Sequence, residues 1–248
     1  MPDYHVLIVS LIAVLSFFVK GATGFGNALI MVPLLSVMVG VRHAIVVASI
    51  LDILAGAILF HKTASFKNKA FWLPMAAAMI AGSITGGIAL RFVPVQGFEF
   101  VFGTVTMVLG AWFIMGRGGK DESTLPTVTP KTCRPADAAV SALAGLCGGL
   151  IGITGPPIVY YLGSRLAKAV FRSTLIALFL FSSTARVATY SVMGLVDTTV
   201  LVLAMISIPG TLLGIWLGNH LFIRIREVWF SRLAGAVLII SALRIMMG

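Results

Sequence analysis

The chain has 248 residues, of which 59% are hydrophobic and 10% charged, with a mean hydropathy of +1.06. A chain so composed has too little polar surface to cover itself, which excludes a soluble globular domain and points to a polytopic membrane protein. The net charge of +10 does not mark a nucleic-acid partner, because the basic residues sit in short loops between apolar stretches, where a bilayer accounts for them.

The N-terminal stretch, residues 1–20, has an apolar run but neither a basic leader nor a small-residue cleavage site, and reads as part of the fold and not as a signal peptide. A helix crossing the hydrocarbon needs about 20 apolar residues. Region 5–40 is cut near its middle by Lys20-Gly21-Ala22-Thr23-Gly24-Phe25-Gly26-Asn27. That cut leaves arms of about 8 to 16 residues, short for a full crossing, and predicts a hairpin that dips into the membrane and returns. Spans are expected at 43–60, 71–91 and 98–116, then a linker over 117–136 rich in Thr, Pro and charge. Region 137–164 is cut in its turn by Gly148-Gly149-Leu150-Ile151-Gly152-Ile153-Thr154-Gly155-Pro156-Pro157, 128 residues after the first break, and spans are expected at 172–194, 198–219 and 229–247. Gly82-Ser83-Ile84-Thr85-Gly86 aligns with Gly210-Thr211-Leu212-Leu213-Gly214 at the same offset. Small residues of this kind let membrane helices pack closely.

Cytoplasmic loops carry the excess of Lys and Arg. Loops 61–70, 117–136, 164–172 and 220–232 are basic, while the remaining loops carry little beyond Arg42, Arg91 and Asp197. These placements agree with one another only if region 5–40 enters and leaves on the outer face and region 137–164 on the cytoplasmic face. The expected fold is therefore an all-α polytopic membrane protein of two inverted repeats, 1–116 and 137–248, each a broken-helix hairpin followed by three transmembrane helices. They are joined by a cytoplasmic linker, 117–136, and both termini lie outside.

Repeated helix breaks in corresponding positions of two halves point to a transporter's binding site. Irregular backbone is tolerated in a membrane only where it lines a cavity or is buried in protein. If second arms start at Asn27 and Pro156, their N-termini direct unpaired N–H groups and positive dipole ends into the cavity, which favours an anion. The residues expected there are Thr23, Gly24, Phe25, Gly26 and Asn27 from the first break and Gly152, Ile153, Thr154, Gly155 and Pro156 from the second. Three ionisable residues join them, because charge in the membrane is costly and marks a pathway. Arg186, near the centre of 172–194, offers a fork suited to a sulfonate or carboxylate. Lys20 abuts the first break and either serves the site or snorkels to an interface. Asp52, near the centre of 43–60, suits a proton- or cation-coupling role; the alternative for Asp52 and Arg186 is a structural ion pair.

The histidines have no partner at metal-ligand spacing, and no metal or other cofactor is expected. The GxxGxG string of the first break lacks the strand and helix that a dinucleotide site needs. Cys133, in a loop, and Cys147, in a span, fit no CxxC or Cys/His pattern. Cys147 is the thiol near a break, and keeps a membrane-embedded sulfur-handling enzyme open as an alternative; a passive anion channel is the other.

Through its two Gly-rich signatures, Gly21-Ala22-Thr23-Gly24-Phe25-Gly26-Asn27 leading to Pro33 and Gly148-Gly149-Leu150-Ile151-Gly152-Ile153-Thr154-Gly155-Pro156-Pro157, the chain resembles the TauE/SafE family of membrane transporters over essentially its whole length. The resemblance implies a multi-pass protein of the bacterial cytoplasmic membrane that moves small sulfur-containing anions such as sulfite, thiosulfate or sulfoacetate in either direction. The first motif has Asn27-Ala28 where the second has a proline pair, so the half-sites are not chemically equivalent. The expected partners are the small anion, the lipid bilayer and no nucleic acid, with a coupling proton or cation and homo-oligomer formation left open.

Overall fold

The structure, a computed structural model, describes residues 3–62, 69–114, 132–163, 165–221, 239–240 and 242–243. The expected span 229–247 and most of the 117–136 linker lie outside these residues. All regular structure among them is helical: α1 (Asp3–Thr23), α2 (Asn27–Val39), α3 (Val41–Lys62), α4 (Lys69–Phe92), α5 (Val95–Ile114), α6 (Pro135–Ile151), α7 (Gly155–Gly163), α8 (Lys168–Val192) and α9 (Thr198–Leu221). Segments of α1, α3, α4, α8 and α9 are long and apolar enough to cross a membrane. The chain is thus an all-α polytopic membrane protein.

Both breaks fall where the sequence places them, and glycine is the reason. Gly24 and Gly26 lie at φ 87° and 91°, and Gly152 at φ 75°. A side chain at any of these would be strained in the left-handed region. One expectation changes: α1 is not a short arm. It runs 21 residues, about 31 Å at the helical rise, straight through Lys20. The ammonium that interrupts the apolar run is fully buried and paired with Asp52 of α3, so it has no need to end the helix. On the second side α6 has 17 residues and α7 nine, and α7 starts at Gly155, one residue before the expected Pro156.

Helices from the two halves of the chain pack backbone against backbone. A Cβ at Gly82 or Gly86 of α4 would strike the Ala142 or Leu146 carbonyl of α6, and one at Gly145 or Gly149 would strike Met79 or Ser83. The α1–α9 contact is built alike: Gly210, Gly214 and Gly218 face the carbonyls of Ser10, Val14 and Phe18, and Gly21 faces that of Ile215. Residue numbers rise together in both interfaces, so each pair is parallel. Close approach of this kind is what small residues permit in apolar surroundings. By contrast α3 and α8 cross antiparallel, Asp52 meeting Arg186 and Gly56 meeting Leu180.

Two ends of the bundle are tied by polar contacts. At one, His43 Nε2 lies 3.0 Å from Asp197 Oδ2, Arg42 donates to the Val93 carbonyl and Arg91 to the Met193 carbonyl. There, hydrogen bonds from the Val200 backbone N–H and the His43 ring hold the Asp197 carboxyl below the usual carboxylate range. At the other, Arg172 donates to the Gly21 carbonyl at 2.7 Å and to Asn219 Oδ1 at 3.0 Å.

Candidate functional site

Between the two breaks lies a pocket of about 300 Å³, its mouth included, lined by residues of α2, α3, α7 and α8 and of both breaks. From the first side come Gly26, Asn27, Ala28 and Leu29, the start of α2; from the second come Ile153, Thr154 and Gly155, the start of α7. The first backbone N–H groups of a helix have no intrahelical acceptor. Two sets of these donors therefore border one small space, with Asp52, Phe179 and Arg186 completing its wall.

A buried polar cluster forms one side. Asp52 Oδ1 takes the Lys20 ammonium and a 2.9 Å hydrogen bond from Asn27 Nδ2, while its Oδ2 receives Arg186 Nη2 at 3.4 Å. Arg186 Nη1 donates to Thr154 Oγ1 at 2.6 Å. Lys20, Asn27, Asp52, Thr154 and Arg186 are each less than a tenth exposed. The guanidinium Nε–H is buried without an acceptor among the described residues. Two cations thus surround one carboxylate. Removing the carboxylate alone would leave two buried cations unmatched, which is more costly than losing a whole pair.

Not every expected residue faces the pocket. Thr23 closes the break onto itself, its hydroxyl 2.8 Å from the Phe25 carbonyl. Gly24 sits against the Arg172 side chain, and Phe25 packs edge-on against Phe171 with ring centroids 6.4 Å apart. Gly152 abuts Ile45 and Val32. Pro156 is buried in the first turn of α7, a position where its missing N–H costs little. Lys20 reaches the site through Asp52 and does not border the space itself. Asp52 and Arg186 are both an ion pair and pocket lining, so the two readings of these residues are not exclusive.

Sequence reasoning missed several contributors. Gly148 clears the ground for the cluster: a methyl there would fall 2.6 Å from Arg186 Nη1 and on top of the Thr154 hydroxyl. Phe179 and Leu29 supply apolar wall, and neither stands out in an apolar helix. Tyr190 donates its hydroxyl to the Gly149 carbonyl at 2.7 Å. Arg172 does the same for Gly21, the residue 128 positions earlier, so α8 satisfies a carbonyl at the broken end of both α1 and α6. The usable signal was the orphan carbonyls that any helix end leaves, which call for a buried donor nearby. Cys147 is half-buried, packs against the apolar core and is not among the pocket's lining residues. No group of three or more His, Cys, Asp or Glu residues placed to hold a metal occurs among the described residues.

A family model described as Sulfite exporter TauE/SafE matches residues 9–245. No curated protein matches the chain, and no solved structure does.

Proposed function

Starting from the chain's membership of the TauE/SafE sulfite exporter family, a family of membrane transporters, we propose that it is a secondary transporter of a small sulfur-containing anion. The candidates are sulfite, thiosulfate and organosulfonates such as sulfoacetate, carried across the bacterial inner membrane in the direction of export. The observation that carries this reading is the pocket in which the first turns of α2 and α7 face the Arg186 guanidinium. Helix N-termini and a planar guanidinium are the donors that oxoanions accept best. Export agrees with the inside-negative potential, which contributes about 2.3 kcal/mol per charge per 100 mV to an anion leaving the cell.

Alternating access by two inverted halves, 1–116 and 137–248, is the mechanism we favour. Its support is the pattern of packing: elements that correspond at the 128-residue offset exchange roles, α1 with α6 and α4 with α9. The corresponding helices α3 and α8 cross antiparallel. In this scheme Thr154, Asn27 and Arg186 hold the anion, the N–H groups of both breaks orient its oxygens, and Asp52 links anion binding to the charge state of Lys20.

The test is counterflow in proteoliposomes. Vesicles loaded with unlabelled sulfite or organosulfonate should accumulate labelled substrate transiently and saturably. Flux that never saturates and shows no trans-stimulation identifies a channel instead. Absence of both flux and binding across the sulfur anions rejects the reading.

A further inference from the structure

We propose that the pocket sorts anions by valence, accepting singly charged sulfur oxoanions and rejecting doubly charged ones. The proposal rests on the anion-transporter reading and narrows its substrate class to hydrogensulfite and singly charged sulfonates, leaving out thiosulfate and sulfoacetate, which carry two charges. Lys20 and Asp52 form a pair of zero net charge wherever the proton between them resides, as ammonium with carboxylate or as amine with carboxylic acid. Arg186 is then the charge left over. Its contact with Asp52 Oδ2, at 3.4 Å, is longer than those Asp52 makes with Asn27 and Lys20, and its Nε–H is buried without an acceptor among the described residues.

Asp52 and Arg186 are the charged residues among those that line the pocket. A monoanion brings the cluster of Lys20, Asp52 and Arg186 to neutrality. A dianion leaves an unmatched negative charge buried beside the Asp52 carboxylate, the arrangement that low-dielectric surroundings penalise most. The first turns of α2 and α7 aim dipoles at the ligand and orient its oxygens, yet a dipole adds no net charge to the balance. Leu29, Ile153 and Phe179 give the same pocket an apolar side. A sulfonate matches both halves of that description: three oxygens sharing one charge, and an organic substituent to set against the apolar wall.

The experiment compares methanesulfonate with sulfate, two tetrahedral ions of similar size that differ by one charge. The full chain, purified in detergent, is titrated with each at about pH 7 and fixed ionic strength, with affinity read by calorimetry and by thermal unfolding. Methanesulfonate should bind at least about tenfold more tightly than sulfate. Asp52→Asn, which raises the charge of the cluster by one where Lys20 is the ammonium, should then shift that ratio by about tenfold or more towards sulfate, and an unshifted ratio places the shared proton on Asp52 while the wild-type ratio decides the proposal. Sulfate binding as tightly as methanesulfonate, or more tightly, overturns the proposal while leaving the anion-transporter reading in place. If neither ion binds the proposal falls, and if sulfite and thiosulfate do not bind either, the anion-transporter reading falls with it. Should Asp52→Asn fail to fold, the wild-type ratio alone decides.

Discussion

Thr154 and Arg186, 32 positions apart, share a 2.6 Å hydrogen bond that joins the second helix break to the middle of α8. It directs the guanidinium towards the pocket and uses one of its five N–H groups, leaving donors for a ligand. Arg186→Ala should weaken binding of the favoured anion about tenfold or more, since a charge-assisted hydrogen bond contributes roughly 1.5–3 kcal/mol. Arg186→Lys should recover part of the loss, a point charge replacing the fork. Calorimetric titration of the folded variants measures both, and unchanged affinity in Arg186→Ala removes this residue from the site.

Gly148 tests the same geometry without touching a polar group. Because a methyl there would fall 2.6 Å from Arg186 Nη1, Gly148→Ala should displace the guanidinium and reduce anion affinity. Overpacking of this kind costs about 1–3 kcal/mol, so the variant should still fold. Wild-type affinity in Gly148→Ala would mean that the guanidinium is not held where the Thr154 contact places it.

Asp52 sits between two buried cations, so its loss should be felt in folding before function. Asp52→Asn leaves Lys20 and Arg186 without their shared carboxylate and should destabilise the protein by about 3–5 kcal/mol. Lys20→Met combined with Asp52→Asn removes one whole pair and should recover much of that stability. Thermal unfolding in detergent reads the comparison, and a double variant no better than Asp52→Asn alone would show that Lys20 and Asp52 do not compensate each other.

Tyr190 donates to a carbonyl at the end of α6, where the helix supplies no backbone donor of its own. Tyr190→Phe keeps the ring and deletes the donor, so it should cost about 1–3 kcal/mol as the buried Gly149 carbonyl goes unsatisfied. The melting temperature of the variant is the measurement. No change would indicate that water or another group reaches that carbonyl.

The Asp197 carboxyl, held down by the Val200 N–H and by His43, supplies a pH-dependent contribution. Its folded-state pKa lies below the unfolded value of about 3.9. The contribution is therefore present above about pH 4 and is lost as pH falls through the folded value. Asp197→Asn should lower the melting temperature at neutral pH, and the gap from wild type should close on acidification. A gap that stays constant down to acid would place the stabilising contact elsewhere.

What the amino-acid sequence determined by itself was local. The apolar runs fixed a membrane fold, because nothing else covers so little polar surface. The positions of both breaks were legible because the left-handed backbone at Gly24, Gly26 and Gly152 is a demand on single residues that only glycine meets cheaply. The ionisable residues Lys20, Asp52 and Arg186 stood out because charge is rare in such stretches. What only the tertiary structure decided was which of these meet. Lys20 reads as the end of an apolar arm until α3 brings Asp52 to it, and that pairing lets α1 run its full length. Gly148 reads as part of a flexible break until α8 lays Arg186 across it. Both outcomes depend on backbone-to-backbone packing of α4 on α6 and α1 on α9, and distances set by helix packing are written in no local stretch of the chain.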